Sequence, residues 1–309
     1  MNSSVLVTGG SGFIGTWVLR KLLQQGARPV VVDPHPARPR WERLLGERAS
    51  EVVTAKASLL DPLALRQVIE QQGVTHIIHL AALLTPDCQQ NPFLGCQINV
   101  LGGTSVWEAA RQSKRVRSIS YASSYAVYGP ETGDSESALN RPPTFYGAFK
   151  QAMDLIAEQY WRHFGISSVA VRPHVVYGPE RDQGLTAGPS LATKAAALGG
   201  SYTIGYTGSV GYDYVEDVAL ALVRAAFECP AGATVVDLPG EQATTEQFAQ
   251  TIEAVVPGAK GRIHVDGPVI PANIPPNPKY ISELFPDWRA TSLIDGVRST
   301  VGFYRTSKD

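Results

Sequence analysis

Residues 8–15 read TGGSGFIG, directly after the β-branched run SVLVT (4–8) and opening the segment IGTWVLRKLLQQG. In that segment Ile14, Val18, Leu22 and Leu23 keep helical spacing until Gly26 ends it. Strand, glycine turn and helix in that order predict the first unit of a parallel sheet. Gly9, Gly12 and Gly15 permit a tight turn, close approach of backbone to a pyrophosphate, and close packing of helix on strand, while the helix N-terminus faces the negative charge. The next strand, PVVVD (29–33), ends in Asp33, about 20 residues on, where a carboxylate accepts hydrogen bonds from a ribose hydroxyl. Asp33 also repels a 2′-phosphate, so the expected cofactor is NAD; Arg38 and Arg40, in the following loop, argue toward NADP.

Working outward, EVVTA (51–55), HIIHLAA (76–82), VRSISYAS (116–123) and SVAVRP (168–173) are further strands, with helical patterns at 62–72, 98–112 and 146–163. Near-continuous apolar strands alternating with helices predict an α/β protein, a Rossmann-type doubly wound parallel sheet covered on both faces. After Pro173 the texture changes. Residues 174–213 are rich in Gly and Tyr with one helical piece around SLATKAAAL; 213–227 read as a helix, ATVVDL (233–238) as a strand able to rejoin the main sheet, and TTEQFAQTIEAVV as a helix capped by Thr244 or Thr245. Five prolines in 268–278 predict an extended connection. The expected division is an NAD-binding domain over 1–177, rejoined by about 214–238, and a smaller C-terminal α/β substrate-binding domain from 178–213 and 239–309.

The chain has 309 residues, is 44% hydrophobic and carries a formal net charge of −1, which gives no electrostatic reason to expect nucleic acid or an anionic membrane surface as partner. No run of about 18 apolar residues occurs. Cys88, Cys96 and Cys229 are scattered and odd in number, which fits reduced thiols and a cytoplasmic location. The six histidines show no metal-ligand spacing, so no metal is expected.

FYGAFKQAM (145–153) places Tyr146 four residues before Lys150 at the start of a helical pattern. Side chains at i and i+4 are neighbours, and a cation beside a phenol favours phenolate, which suits proton transfer. A methyltransferase can also use a glycine-rich first turn and an acid after the second strand, but it has no use for this pair.

The chain resembles the extended short-chain dehydrogenase/reductase family, in its NAD-dependent sugar epimerase/dehydratase branch. The resemblance is carried in order by TGGSGFIG, HLAA (79–82), INVLGGT (98–104), YASSYAVYG (121–129), YGAFK (146–150), RPHVVYGP (172–179) and YVEDVA (214–219), with TSLIDGVRSTVGFY like the family's closing helix. It implies that Tyr146 takes the proton of a substrate hydroxyl, that Lys150 lowers the Tyr pKa and holds the nicotinamide ribose, and that Ser124 orients the reacting oxygen, with Ser123 able to share that task. It also implies a cofactor site of Gly9, Gly12, Phe13, Ile14, Gly15, Asp33, Ser58, Leu59, Leu80, Ala81, Ala82, Asn99, Tyr146, Lys150 and Pro173. Ser58 stands where many relatives have an Asp for the adenine. His76 and His79 are expected to be structural. The resemblance further implies a homodimer through the helices 98–112 and 146–163.

The departures divide the family. Dehydratase members carry Thr-Asp-Glu where this chain has Ser124, Tyr125 and Ala126, so water elimination lacks its acid and base. Relatives that handle nucleotide sugars place an Asn and an Arg on the diphosphate where this chain has Val175 and Val210. Arg181 and Lys194 are the nearest replacement donors, and His174 and Tyr125 are further residues expected to touch substrate. The expected activity is oxidation or reduction at a secondary hydroxyl of a carbohydrate-like small molecule without a nucleotide. The alternative is a sugar or nucleotide-sugar epimerase with tightly held NAD, and a third reading is a dinucleotide-sensing regulator without turnover.

Overall fold

A computed structural model describes residues 3–129, 141–271 and 278–306. The first half of the chain gives β1 (Ser4–Thr8), β2 (Arg28–Val32), β3 (Val53–Ala55), β4 (Val74–His79), β5 (Ser118–Ala122) and β6 (Ser168–Arg172). The second half gives β7 (Val175–Tyr177), β8 (Tyr202–Ile204), β9 (Ser209–Tyr214), β10 (Ala233–Asp237), β11 (Glu241–Thr244) and β12 (Ile263–Val265). The main sheet has seven parallel strands in the order β10-β6-β5-β4-β1-β2-β3. ATVVDL does rejoin it, Ala233 lying opposite Ser168.

Alternate residues of each strand point to opposite faces, and both faces are covered. Val5, Val7 and Ile78 join one buried cluster with Val18 and Leu22, whereas Leu6, Ile77 and Ile119 join the other with Val106 and Trp107. The strand order reverses direction between β1 and β4, where Thr8 lies opposite His79. The carboxyl ends of these strands therefore bring TGGSGFIG and HLAA together at the place where open α/β sheets bind ligands.

Three expectations need correction. Asp213 and Tyr214 end β9 and are not helical; the helix is Val215–Phe227. The Gly- and Tyr-rich stretch hid strands because its apolar surface is aromatic: Tyr177, Tyr212 and Phe248 pack edge to face and tilted around β7 and β9. The pattern at 98–112 is broken, with a π-helical segment Gln97–Gly102 leading into the helix Gly103–Ser113. Thr244 is the cap of the helix Thr245–Val255, in a capping box with Gln247. Within the proline-rich stretch Val269 forms a bridge with Thr207, while 272–277 lie outside the described residues. No described helix is long and apolar enough to cross a membrane.

Candidate active site

The glycine turn leaves room for a phosphate because its backbone is packed tightly on the other side. Gly9 has φ +71°, and a Cβ there would lie 2.7 Å from the Ala81 nitrogen, so any side chain would push the HLAA loop away. The helix Phe13–Gln24 starts without a side-chain cap, which leaves its first N–H groups free for an anion. Asp33 braces the turn: one carboxylate oxygen accepts from the Ser11 N–H at 3.2 Å and the other from the His35 N–H at 2.9 Å. Arg40 is held away from Asp33, donating to the Ser11 carbonyl at 2.9 Å and to Asp182 at 2.6 Å.

Beside the glycine turn lie β4 and the HLAA loop at its end. The Thr8 hydroxyl is 2.7 Å from Nδ1 of His79 and accepts from the Leu80 and Ala81 N–H groups. Burial holds His79 down at about 3, so it is neutral and structural. His76 is likewise buried, paired to the Thr75 hydroxyl at 2.9 Å and shifted down by burial. Asn99, in the π-helical segment, grips Leu83 at both ends, accepting from its N–H at 2.7 Å and donating to its carbonyl at 3.0 Å. Such segments recur at functional sites. The Ser58 hydroxyl accepts from the Leu60 N–H at 3.2 Å, and Leu59 packs against Gly102.

The reacting end is set by one helix, Phe145–Phe164, capped by the Thr144 hydroxyl, which accepts from the Gly147 N–H at 3.1 Å. A Cβ on Gly147 would stand 2.1 Å from the Ala126 carbonyl oxygen, so only glycine lets the helix start lie against the turn Tyr125–Val127. That contact brings Tyr146 close enough to Ser124 for the serine hydroxyl to favour the phenolate. The Ser124 oxygen also accepts from the Ala126 N–H at 3.1 Å, and the Tyr125 N–H donates to the Pro173 carbonyl at 3.1 Å, tying the turn to β6.

Lys150 lies 5.6 Å from the Tyr146 ring centroid and donates to the Ala122 carbonyl at 2.6 Å. The expectation that it acidifies the phenol is not met here. Burial pushes Tyr146 up to about 12, and the nearby Ser124 hydroxyl and the charge of Arg181 oppose the rise. Lys150 is itself lowered to about 8 by burial, which the nearby Asp154 charge counters.

Sequence reading missed Asp154, although an acid four residues after the lysine was the signal. Its buried carboxylate accepts from Tyr121 at 3.0 Å, from Ser123 at 2.9 Å and from Arg172 at 2.6 Å. The Ser123 hydroxyl thus donates to Asp154, whereas that of Ser124 accepts from the Ala126 N–H. Arg172 also donates to the Tyr128 hydroxyl at 2.6 Å, which in turn donates to Asp237 at 2.9 Å.

Residues 5–238 match the family model described as NAD dependent epimerase/dehydratase family. The chain belongs to this family. Among similar proteins, UDP-glucuronate 4-epimerase 3 of Arabidopsis thaliana is 31% identical over 185 residues, 57% of this chain and 43% of that protein. D-erythronate dehydrogenase of Cupriavidus necator is 30% identical over 186 residues, 55% of this chain and 56% of that protein. The chain thus spans well under two thirds of the length of either. The crystal structure of UDP-glucose 4-epimerase from Thermus thermophilus in complex with NAD superposes with a TM-score of 0.76 at 25% identity, covering 99% of this chain and 100% of that one.

Val175 lies in β7 and Val210, buried, in β9, strands that pair in parallel; neither side chain offers a hydrogen bond. His174 is a packing residue: its ring stacks on Tyr125 at 3.3 Å between centroids, lies against Gly211 and Gly240, and is held neutral near 3 by burial. Its N–H donates to Asp213 at 2.7 Å. Lys194 is exposed over the Tyr304 ring, 5.2 Å from its centroid, and is not brought to Tyr146. Arg181 does come near, and its charge acts on the Tyr146 phenol.

Proposed function

We propose that this protein oxidises a secondary hydroxyl of a sugar-like substrate that carries no nucleotide. NAD, when bound, supplies the hydride acceptor. The observation that carries the reading is Tyr146 beside both Ser124 and Lys150, with Lys150 5.6 Å from the Tyr146 ring centroid, in a chain whose glycine turn and Asp33 stand at the carboxyl ends of β1 and β2. Ser124 holds the reacting oxygen and Tyr146 receives its proton. Lys150 fixes the ribose side of the cofactor, and the backbone of Gly12, Phe13 and Ile14 with Asp33 holds the rest. Leu80, Ala81 and Ala82 lie along it. With Tyr146 pushed up to about 12 the phenol is protonated near neutral pH, so it gives its proton to the ketone oxygen in reduction, and in oxidation it takes the hydroxyl proton as the phenolate.

Val175 and Val210 support a substrate without a nucleotide, since a buried diphosphate without donors is costly. The likeness to D-erythronate dehydrogenase supports a small carbinol. A second reading, epimerisation through a transient ketone, is favoured by the epimerases among the similar proteins. Calorimetry of UDP against the NAD-loaded enzyme separates the two: binding weaker than about millimolar is expected, and micromolar affinity would return the chain to nucleotide sugars.

The division into an NAD-binding domain (1–177 with 214–238) and a substrate-binding domain (178–213 and 239–309) belongs to this reading. So does a homodimer, supported by Leu101, Leu155 and Phe164, which are apolar and exposed on the segments Gln97–Ser113 and Phe145–Phe164. A cytoplasmic location is supported by the unbridged Cys88, Cys96 and Cys229, of which Cys96 is exposed.

A further inference from the structure

Glu180, Arg181 and Asp182 follow β7, and the chain reverses there in a conformation that side chains rarely take. Glu180 has φ +71°, one of two non-glycine residues with positive φ among the described residues. Such strain persists only where neighbours enforce it. Here the Glu180 carboxylate is buried and accepts from Arg43 at 2.6 and 3.2 Å, with Arg40 at 3.6 Å, and its N–H donates to the Tyr304 hydroxyl at 2.8 Å. Asp182 also turns outward, to Arg40 at 2.6 Å.

Both acids that flank Arg181 are thus spent on the helix Arg38–Leu45, and Arg181 goes the other way. Its guanidinium lies 6.0 Å from the centroid of Phe13, in the glycine turn, and donates to the Val176 carbonyl and to the Thr186 hydroxyl at 2.8 Å. It forms no ion pair among the described residues, whereas Arg40, Arg43 and Arg172 each have a carboxylate. Burial pulls it down to about 10, and the ionisable groups its charge reaches are the phenols of Tyr206 and Tyr146. Arg181 is half-buried and bonded only to neutral oxygens, so its charge lacks a counter-ion and an anion would complete it.

We propose that Arg181 receives a carboxylate of the substrate, so that the productive ligand is a sugar acid whose secondary hydroxyl meets Tyr146 while its carboxylate pairs with Arg181. This rests on the carbinol reading above and narrows it. Two anions could meet this guanidinium, a substrate carboxylate and the dinucleotide's phosphates. The anchor of Arg181 on the carbonyl of Val176, next to Val175 in β7, where nucleotide-sugar relatives place a substrate anchor, favours the substrate, and its charge also reaches Tyr146.

The test uses matched pairs that share their secondary hydroxyls and differ in the carboxylate: D-erythronate with erythritol, D-gluconate with glucitol, and D-galactonate with galactitol. Wild-type enzyme should give a kcat/KM for at least one acid about tenfold to a hundredfold above that of its neutral partner, the range of a charge-assisted pair. Arg181→Met should abolish the preference through KM, leave the fluorescence-titrated Kd for NAD within about twofold, and Arg181→Lys should restore part of the preference. Calorimetry on NAD-loaded Tyr146→Phe enzyme, with turnover suppressed, should show the same preference in binding. A rise in the NAD Kd with substrate KM unchanged would assign Arg181 to the cofactor and overturn the proposal. Neutral polyols used as well as the acids would overturn it while leaving the carbinol reading intact; no NADH from either set would sink both.

Discussion

The Tyr146 phenol stands beside the Ser124 hydroxyl because Gly147, next to Tyr146, lets the helix lie against the Ala126 carbonyl, two residues from Ser124. A methyl group at 147 must displace that backbone, since it would stand 2.1 Å from the carbonyl oxygen. Gly147→Ala is therefore expected to lower kcat about tenfold to a hundredfold, the effect of misplacing a proton acceptor by an ångström, with little change in NAD affinity. Steady-state kinetics beside a fluorescence titration of NAD checks this.

Cofactor choice follows from Asp33. NAD should bind at least about tenfold more tightly than NADP, because a carboxylate facing a 2′-phosphate costs upward of about 1.4 kcal/mol. Arg40 does not offset this, being engaged by Ser11 and Asp182. Equal affinities in a direct titration would remove Asp33 from the ribose.

Lys150 gives a pH signature in stability. Its pKa is near 8 in the folded protein against 10.5 for a free lysine. Between those values the unfolded chain binds more protons than the folded one, so this group makes stability rise with pH across that window, and below about 8 it imposes the full cost of a buried ammonium. Urea denaturation of the cofactor-free protein from pH 7 to 10 should show this contribution in wild type and lose it in Lys150→Met. Parallel pH profiles would place the ammonium in water.

Asp154 holds Arg172, Tyr121 and Ser123 in one buried network. Asp154→Ala leaves a largely buried guanidinium with only a phenol as partner, so a loss of about 3 kcal/mol is expected in denaturant unfolding. Turnover should fall as well, because Lys150 loses the charge that helps keep it protonated.

Much of this was legible from the sequence, for identifiable reasons. Strand, glycine turn and helix are local signals, and Asp33 and the Tyr146–Lys150 pair follow from fixed spacings. What was not legible depends on contacts distant in sequence. Nothing near Ser123 says that its hydroxyl belongs to Asp154, 31 residues on, while that of its neighbour Ser124 meets Tyr146. Strand β9 was hidden because its buried residues include Gly211, Tyr212 and Tyr214, and β7 because it is only three residues long, Val175–Tyr177. Arg181 could be named as a donor, but only the strained turn at Glu180 and the outward pairs of its neighbours set it apart from Lys194.

The most direct test of the account is NADH formation by the wild-type enzyme and Tyr146→Phe across free sugars, sugar acids, polyols and UDP-sugars, with products identified by NMR. The account predicts NADH and a keto product from a substrate without a nucleotide, and a loss of about 10² to 10⁴ in turnover for Tyr146→Phe with NAD affinity retained. Interconversion of UDP-glucose and UDP-galactose without net NADH, or Tyr146→Phe enzyme of nearly full activity, would contradict it.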